Sequence, residues 1–154
     1  MMYRIVKVLN HNTFIGIRSK DKCKCLIMGK GIAFGRKVCE SISVGEDAKV
    51  YTLTELTERG SAEEIIRSVP PECLELAGEI LDHAEKVFGQ IDRSILFPMA
   101  DHLAFAVQRI RNQEQISNPL TEDIRILFHQ EYKVAKCAEQ LLRERLHVEI
   151  DEHE

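Results

Sequence analysis

Two short stretches of the N-terminal third carry side chains suited to nucleic-acid chemistry. Lys7, Asn10 and Asn12 lie in V-K-V-L-N-H-N, and Gly29, Lys30, Phe34 and Gly35 lie in M-G-K-G-I-A-F-G. An asparagine amide offers a donor and an acceptor and can read a base edge. A lysine ammonium meets phosphate. A phenyl ring flanked by glycines and cations can stack on an unpaired base, which RNA presents far more often than duplex DNA. Glycines allow the backbone to approach a ligand closely. Taken singly, the ordinary reading of Asn10 and Asn12 is a hairpin turn, and of Phe34 a core aromatic. G-K-G lacks the spacing of a nucleotide-hydrolysing phosphate loop, so that activity is excluded.

A third candidate is His102, in P-M-A-D-H-L-A-F-A-V-Q-R. The pattern starts a helix near Pro98 and puts His102 about one turn in. There the free N–H groups and the macrodipole favour an anion. Arg109, two turns on, shares roughly the same face. Such a histidine could hold a phosphoryl group with a basic neighbour as partner. Asp101 could fix the imidazole tautomer, although adjacent helical residues point apart. The ordinary reading is a solvent-facing helical histidine. His11, His83, His129, His147 and His153 show no spacing that implies a triad or a metal.

The five cysteines (Cys23, Cys25, Cys39, Cys73 and Cys137) are odd in number and accompany no secretory signal, which argues against a disulfide framework. Cys23 and Cys25 sit at same-face positions of an expected strand and are read as small hydrophobes, not ligands. No second Cys/His pair has zinc spacing. Neither a metal nor a cofactor is expected, and the chain is not read as an enzyme.

Charge divides the 154 residues unevenly. Residues 1–57 hold ten Lys/Arg against five Asp/Glu, a net +5, and the remainder holds eleven against twenty, a net −9. Such asymmetry suggests two modules, the basic one facing a polyanion, although a solvated lysine-rich hairpin would look similar. No apolar run approaches the roughly 18 residues of a membrane span. The expected location is the cytoplasm, with no membrane insertion.

The elements that must position these residues follow from period and turn chemistry. Residues 3–9, 13–18, 23–28 and 48–53 are rich in Val and Ile with partial alternation, and predict four short strands in a small antiparallel sheet. Asn10-His11-Asn12 is the first turn, and Gly29-Lys30-Gly31 ends the third strand. A sheet of about 55 residues is marginal alone and would gain from pairing as a dimer. After Thr57 the period becomes helical. Residues 58–69 form a linker with a short helix. Pro71 starts and Gly89 stops a helix with apolar positions 73, 77, 80, 81, 84, 87 and 88. A second runs from Pro98 to about Arg111. A third begins at Asn118-Pro119 and breaks near His129–Glu131. The fold class is multi-domain: a four-stranded antiparallel sheet domain (1–57), a linker (58–69) and an all-α helical bundle (70–154).

These stretches resemble a known family. V-K-V-L-N-H-N at 6–12 and M-G-K-G-I-A-F-G at 28–35 look like the co-antiterminator RNA-binding domain of BglG/SacY/LicT-type transcription antiterminators. A-D-H-L-A-F-A-V-Q-R at 100–109, N-P-L at 118–120 and E-Y-K-V-A-K at 131–136 resemble the PTS regulation domain that follows it. The resemblance covers essentially the whole chain. It implies a dimeric sheet domain that binds an imperfect RNA hairpin in the leader of a sugar-utilisation operon and excludes the overlapping terminator. It implies that Lys7, Asn10, Asn12, Gly29, Lys30, Phe34 and Gly35 fall where the family contacts RNA. It also implies phosphorylation of His102, with Asp101 beside it, by phosphotransferase-system donors (the carrier HPr and the sugar permease, enzyme II). Such phosphorylation is typically inhibitory.

The sequence departs from the family pattern in three places. His11 stands where the family more commonly has Asn, and Gly35 where some members carry a polar side chain. The family's second phosphorylatable histidine and second regulatory domain would follow about where Glu154 stands, so a shortened chain is expected, and that role is not transferred to His153. The rival of a different class is a phosphocarrier centred on His102 in which the basic domain only dimerises. A third reading, a DNA-binding repressor, lacks a convincing helix-turn-helix.

Overall fold

The structure, a computed structural model, describes residues 1–53, 56–57, 60–113 and 120–149. The expected helix start at Asn118-Pro119, part of the expected linker, and His153 lie outside the described residues. The chain divides into two compact units, Met1–Pro71 and Glu72–Glu154.

The first unit is built on a five-stranded antiparallel sheet in the order β4-β1-β2-β3-β5. Its strands are β1 (Met2–Asn10), β2 (Thr13–Arg18), β3 (Lys24–Met28), β4 (Ser41–Ser43) and β5 (Lys49–Thr52). The expected count of four is therefore corrected to five. The added strand, β4, is three residues long with one buried side chain, Ile42. It becomes a strand by pairing with β1, Met2 opposite Ser43 and Arg4 opposite Ser41. The hydrophobic core joins Tyr3, Ile5, Phe14, Cys25 and Ile27 to Ile42, Val44 and Ala33. On β1 the register shifts between Ile5 and Lys7. That bulge interrupts the alternation, so Ile5 and Val8 both pack on the core while Val6 and Lys7 are exposed.

Cys25 is buried in this core, and burial pushes its thiol pKa up even though the Arg18 guanidinium lies 3.3 Å from its sulfur. All five cysteines are free thiols. A two-stranded ribbon of β6 (Leu56–Thr57) and β7 (Gly60–Ser61) leads into α1 (Ala62–Ser68). Ser61 and Glu64 form a reciprocal capping box at its start. Glu63 pairs with Lys24 and so ties α1 to β3.

The second unit is helical: α2 (Pro71–Phe88), α3 (Leu96–Arg111), α4 (Thr121–Leu127) and α5 (His129–Leu146), with a 3-10 turn at Arg93–Ile95. Helix α2 has the expected limits, with Gly89 beyond it at φ +80°. Its buried side chains, Cys73, Ala77, Ile80 and Leu81 among them, form one stripe. Arg93 bridges Asp82 (2.9 Å) and Glu85 (3.3 Å) of α2, fixing the chain's return into α3. Arg145 of α5 pairs with Glu79 at 2.8 Å. The long C-terminal pattern breaks at Phe128, between α4 and α5, one residue before the expected break.

Helix α3 starts at Leu96, two residues before Pro98. Proline is tolerated in a first turn, where its missing N–H has no intrahelical partner, so Pro98 does not mark the boundary.

Candidate functional site

The loop between β1 and β2 is only His11-Asn12, and its groups hold each other in place. The Asn10 side-chain oxygen accepts the Asn12 N–H at 2.9 Å. That local bond is why Asn at position 10 suits the turn. The second stretch, Gly29–Gly35, is a run of tight turns closed by Ile32 N–H to Gly29 O, Phe34 N–H to Gly31 O and Arg36 N–H to Ala33 O, each 3.1 Å. Gly31 and Gly35 have φ of +67° and +70°, the left-handed region that side chains disfavour.

Three hydrogen bonds staple the two stretches. Gly29 N–H donates to Asn12 O (2.9 Å), Ala33 N–H to His11 O (2.9 Å) and Gly31 N–H to the Asn12 side-chain oxygen (2.7 Å). Ala33, buried in the sheet core, anchors the run from beneath. Its neighbour Phe34 is 67% exposed. The core reading of Phe34 is thereby set aside: its ring faces solvent and meets His11 edge to face, centroids 5.0 Å apart at 89°.

The structure thus brings Asn10, Asn12, Gly29, Lys30, Phe34 and Gly35 to one end of the sheet. Lys7 is exposed on β1, three residues before Asn10. The two asparagines do not offer both halves of their amides. Each side-chain oxygen already accepts a backbone N–H, while among the described residues neither amide nitrogen has a protein partner. Both are therefore poised as donors, toward acceptor atoms of a ligand. Gly35 has no protein atom near the place where a Cβ would stand, so its backbone angle, not crowding, is what glycine satisfies there. Beyond it, the Arg36 guanidinium and the Lys37 N–H hold the Glu40 carboxyl below the usual carboxylate range.

The pairing of His11 with Phe34 was not legible in the sequence. The two lie 23 residues apart, and no local signal announces a ring pair across two loops.

His102 is exposed on α3 and lines a groove of about 350 Å³ formed with Ile80 of α2 and with α5. Counting from Leu96 it is the seventh helical residue, nearly two turns in, beyond the free N–H groups of the first turn. The expected help from the helix terminus therefore does not reach it. The groove instead supplies Glu131, Lys136 and Glu139 from α5. Lys136 donates to Glu139 at 2.9 Å and lies 5.5 Å from the Tyr132 ring centroid. Glu139, and to a smaller degree Tyr132, raise the Lys136 pKa. These neighbours were invisible to local periodicity because α5 is 27 residues or more downstream.

Comparison with known proteins agrees with this two-part architecture. Residues 3–59 match the CAT RNA binding domain family and residues 78–154 match the PRD domain family. Transcription antiterminator LicT of Bacillus subtilis strain 168 is 28% identical over 152 residues, covering 98% of this chain and 54% of that protein. The beta-glucoside operon antiterminator of Dickeya chrysanthemi is 27% identical over 154 residues, covering 98% and 53%. The chain thus spans about half the length of these curated relatives. The crystal structure of GlcT CAT-PRDI superposes with a TM-score of 0.78 at 23% identity, covering 99% of this chain and 91% of that one. The chain belongs to the PRD domain family, whose model matches half of it, with a segment matching the CAT RNA binding domain family before it.

Proposed function

We propose that residues 1–57 bind, as a homodimer, an RNA hairpin in the leader of a sugar-utilisation operon and so prevent a terminator from forming. Residues 58–69 then act as a linker and 70–154 as the regulatory domain, in the cytoplasm. No described helix is long and apolar enough to cross a membrane. The observation that carries the reading is the stapling of the Asn10–Asn12 loop to the Gly29–Gly35 run. It sets two amide donors and one solvent-facing phenyl ring side by side in a segment of net +5. Donors suit base and phosphate acceptors, the ring suits an unpaired base, and Lys7 and Lys30 add sequence-independent attraction. It is a binding surface, not a catalytic one.

The test uses the whole chain and a library of RNA stem-loops with randomised internal loops. Selected stem-loops should bind two chains each, outcompete duplex DNA of the same sequence at least tenfold, and lose affinity linearly in log salt. Equal competition by duplex DNA would favour a repressor and end the RNA reading.

For regulation, the proposed modification is phosphorylation of His102, supported by Asp101, by HPr or a sugar permease enzyme II. The supporting observation is the exposure of His102 beside a groove that also contains a cation, Lys136. A dianionic phosphoryl group there would attract Lys136 and repel Glu131 and Glu139, shifting the α3–α5 packing. Incubation with phosphorylated carrier should label the chain with acid-labile phosphate, and His102→Ala should abolish the label. Persistent labelling of that variant would displace the site. Onward transfer to a small acceptor would favour the phosphocarrier reading.

A further inference from the structure

We propose that His11 is a positioning residue for RNA binding, one that sets the ring plane of Phe34 before the RNA arrives. This rests on the RNA reading above and specifies how its aromatic contact is made.

Phe34 is mostly exposed, and an exposed phenyl ring on a turn samples several rotamers. Immobilising such a side chain on binding weakens association. In this chain the ring is not left to itself. The His11 imidazole meets it edge to face at 5.0 Å and 89°, a favoured aromatic geometry. The imidazole is itself held. His11 occupies a two-residue loop, its carbonyl accepts the Ala33 N–H, and the residues on either side are joined by the Asn10–Asn12 hydrogen bond. Backbone and side chain of His11 therefore grip two consecutive residues, Ala33 and Phe34. In an edge-to-face pair at least one phenyl face stays uncovered, which is what a base needs for stacking. The ring pair thus fixes direction without occupying the site.

The probe is the stem-loop selected by the parent chain, and the measurement is a double-mutant cycle on the whole chain. His11→Ala should weaken binding roughly 3- to 10-fold, the range of an aromatic pair. His11→Phe, which restores a ring edge, should stay within about twofold of the parent. In a Phe34→Ala background, His11→Ala should have almost no further effect. His11→Asn keeps turn chemistry without the ring. It should behave as His11→Ala does, and it serves as the test if the alanine variant does not fold. Additive losses in the cycle would overturn the inference while leaving the RNA reading intact. So would His11→Phe falling as far as His11→Ala, because the imidazole would then be acting as a polar contact. If the parent selects no stem-loop at all, the RNA reading fails and this inference falls with it.

Discussion

Replacing Phe14 with Ala should destabilise the sheet unit by about 3–5 kcal/mol, the range for truncating a fully buried phenylalanine. Phe14 is 0% exposed, stands opposite Ile27 on β3 and Val8 on β1, and belongs to the cluster that includes Ala33. Its ring lies across the next-but-one residue. A Cβ built on Gly16 would come within 2.9 Å of Phe14 Cε2 and 3.2 Å of the Arg4 carbonyl. Glycine at 16 therefore makes the room that Phe14 fills, and the pair is a single packing solution. The cavity left by alanine would open beneath the Gly29–Gly35 run, because Ala33 rests on the same cluster. Amide hydrogen exchange of β1–β3 in the whole chain measures the loss directly. A change under about 1 kcal/mol would mean that the sheet collapses onto the space and that its stability does not depend on the Phe14 ring. RNA binding should weaken in parallel, in proportion to the unfolded fraction, with no change in salt dependence.

That dependence of a surface loop on a buried ring shows why only part of the fold is legible in the sequence. The strands over 3–9, 13–18 and 23–28, and the helix closed by Pro71 and Gly89, were legible because their signals are local. They consist of apolar period and punctuating residues within a few positions. Strand β4 was not legible. Ser41-Ile42-Ser43 has one apolar residue, and it is extended because β1 offers an unpaired edge, a fact set by residues some 40 positions away. The α3 start lies two residues before the local signal, because a first turn accommodates Pro98. At the site, the two short stretches could each be found in the sequence. Their joining through the Asn12 side chain and the Gly31 N–H could not. Nor could the consequence that the asparagine oxygens are already used, which turns the expected donor-and-acceptor reading into a donor reading. His102 shows the complementary case. Local context singles it out as a candidate, but its electrostatic surroundings belong to α5, not to the end of its own helix.

Replacing Phe34 with Ala should weaken stem-loop binding by about 1–3 kcal/mol, roughly 5- to 150-fold in Kd, while leaving folding almost untouched. The two halves of this expectation come from the same number. At 67% exposure the ring buries little apolar surface in the isolated chain, so its removal forfeits little transfer free energy and leaves no cavity. Among the described residues its ring partner is His11, through an edge-to-face contact. An exposed phenylalanine that contributes so little to stability, on a turn whose backbone is fixed by Asn12 and anchored by Ala33, is available for a ligand. The loss should be independent of salt, because stacking releases no phosphate counterions. Lys30→Ala, by contrast, should lower the slope of log affinity against log salt by about one. Measuring both variants across salt therefore separates the two chemistries on one surface. A Phe34→Ala variant that binds like the parent, at an unchanged melting temperature, would show that the ring meets no base. The amide donors of Asn10 and Asn12 would then have to carry recognition without it.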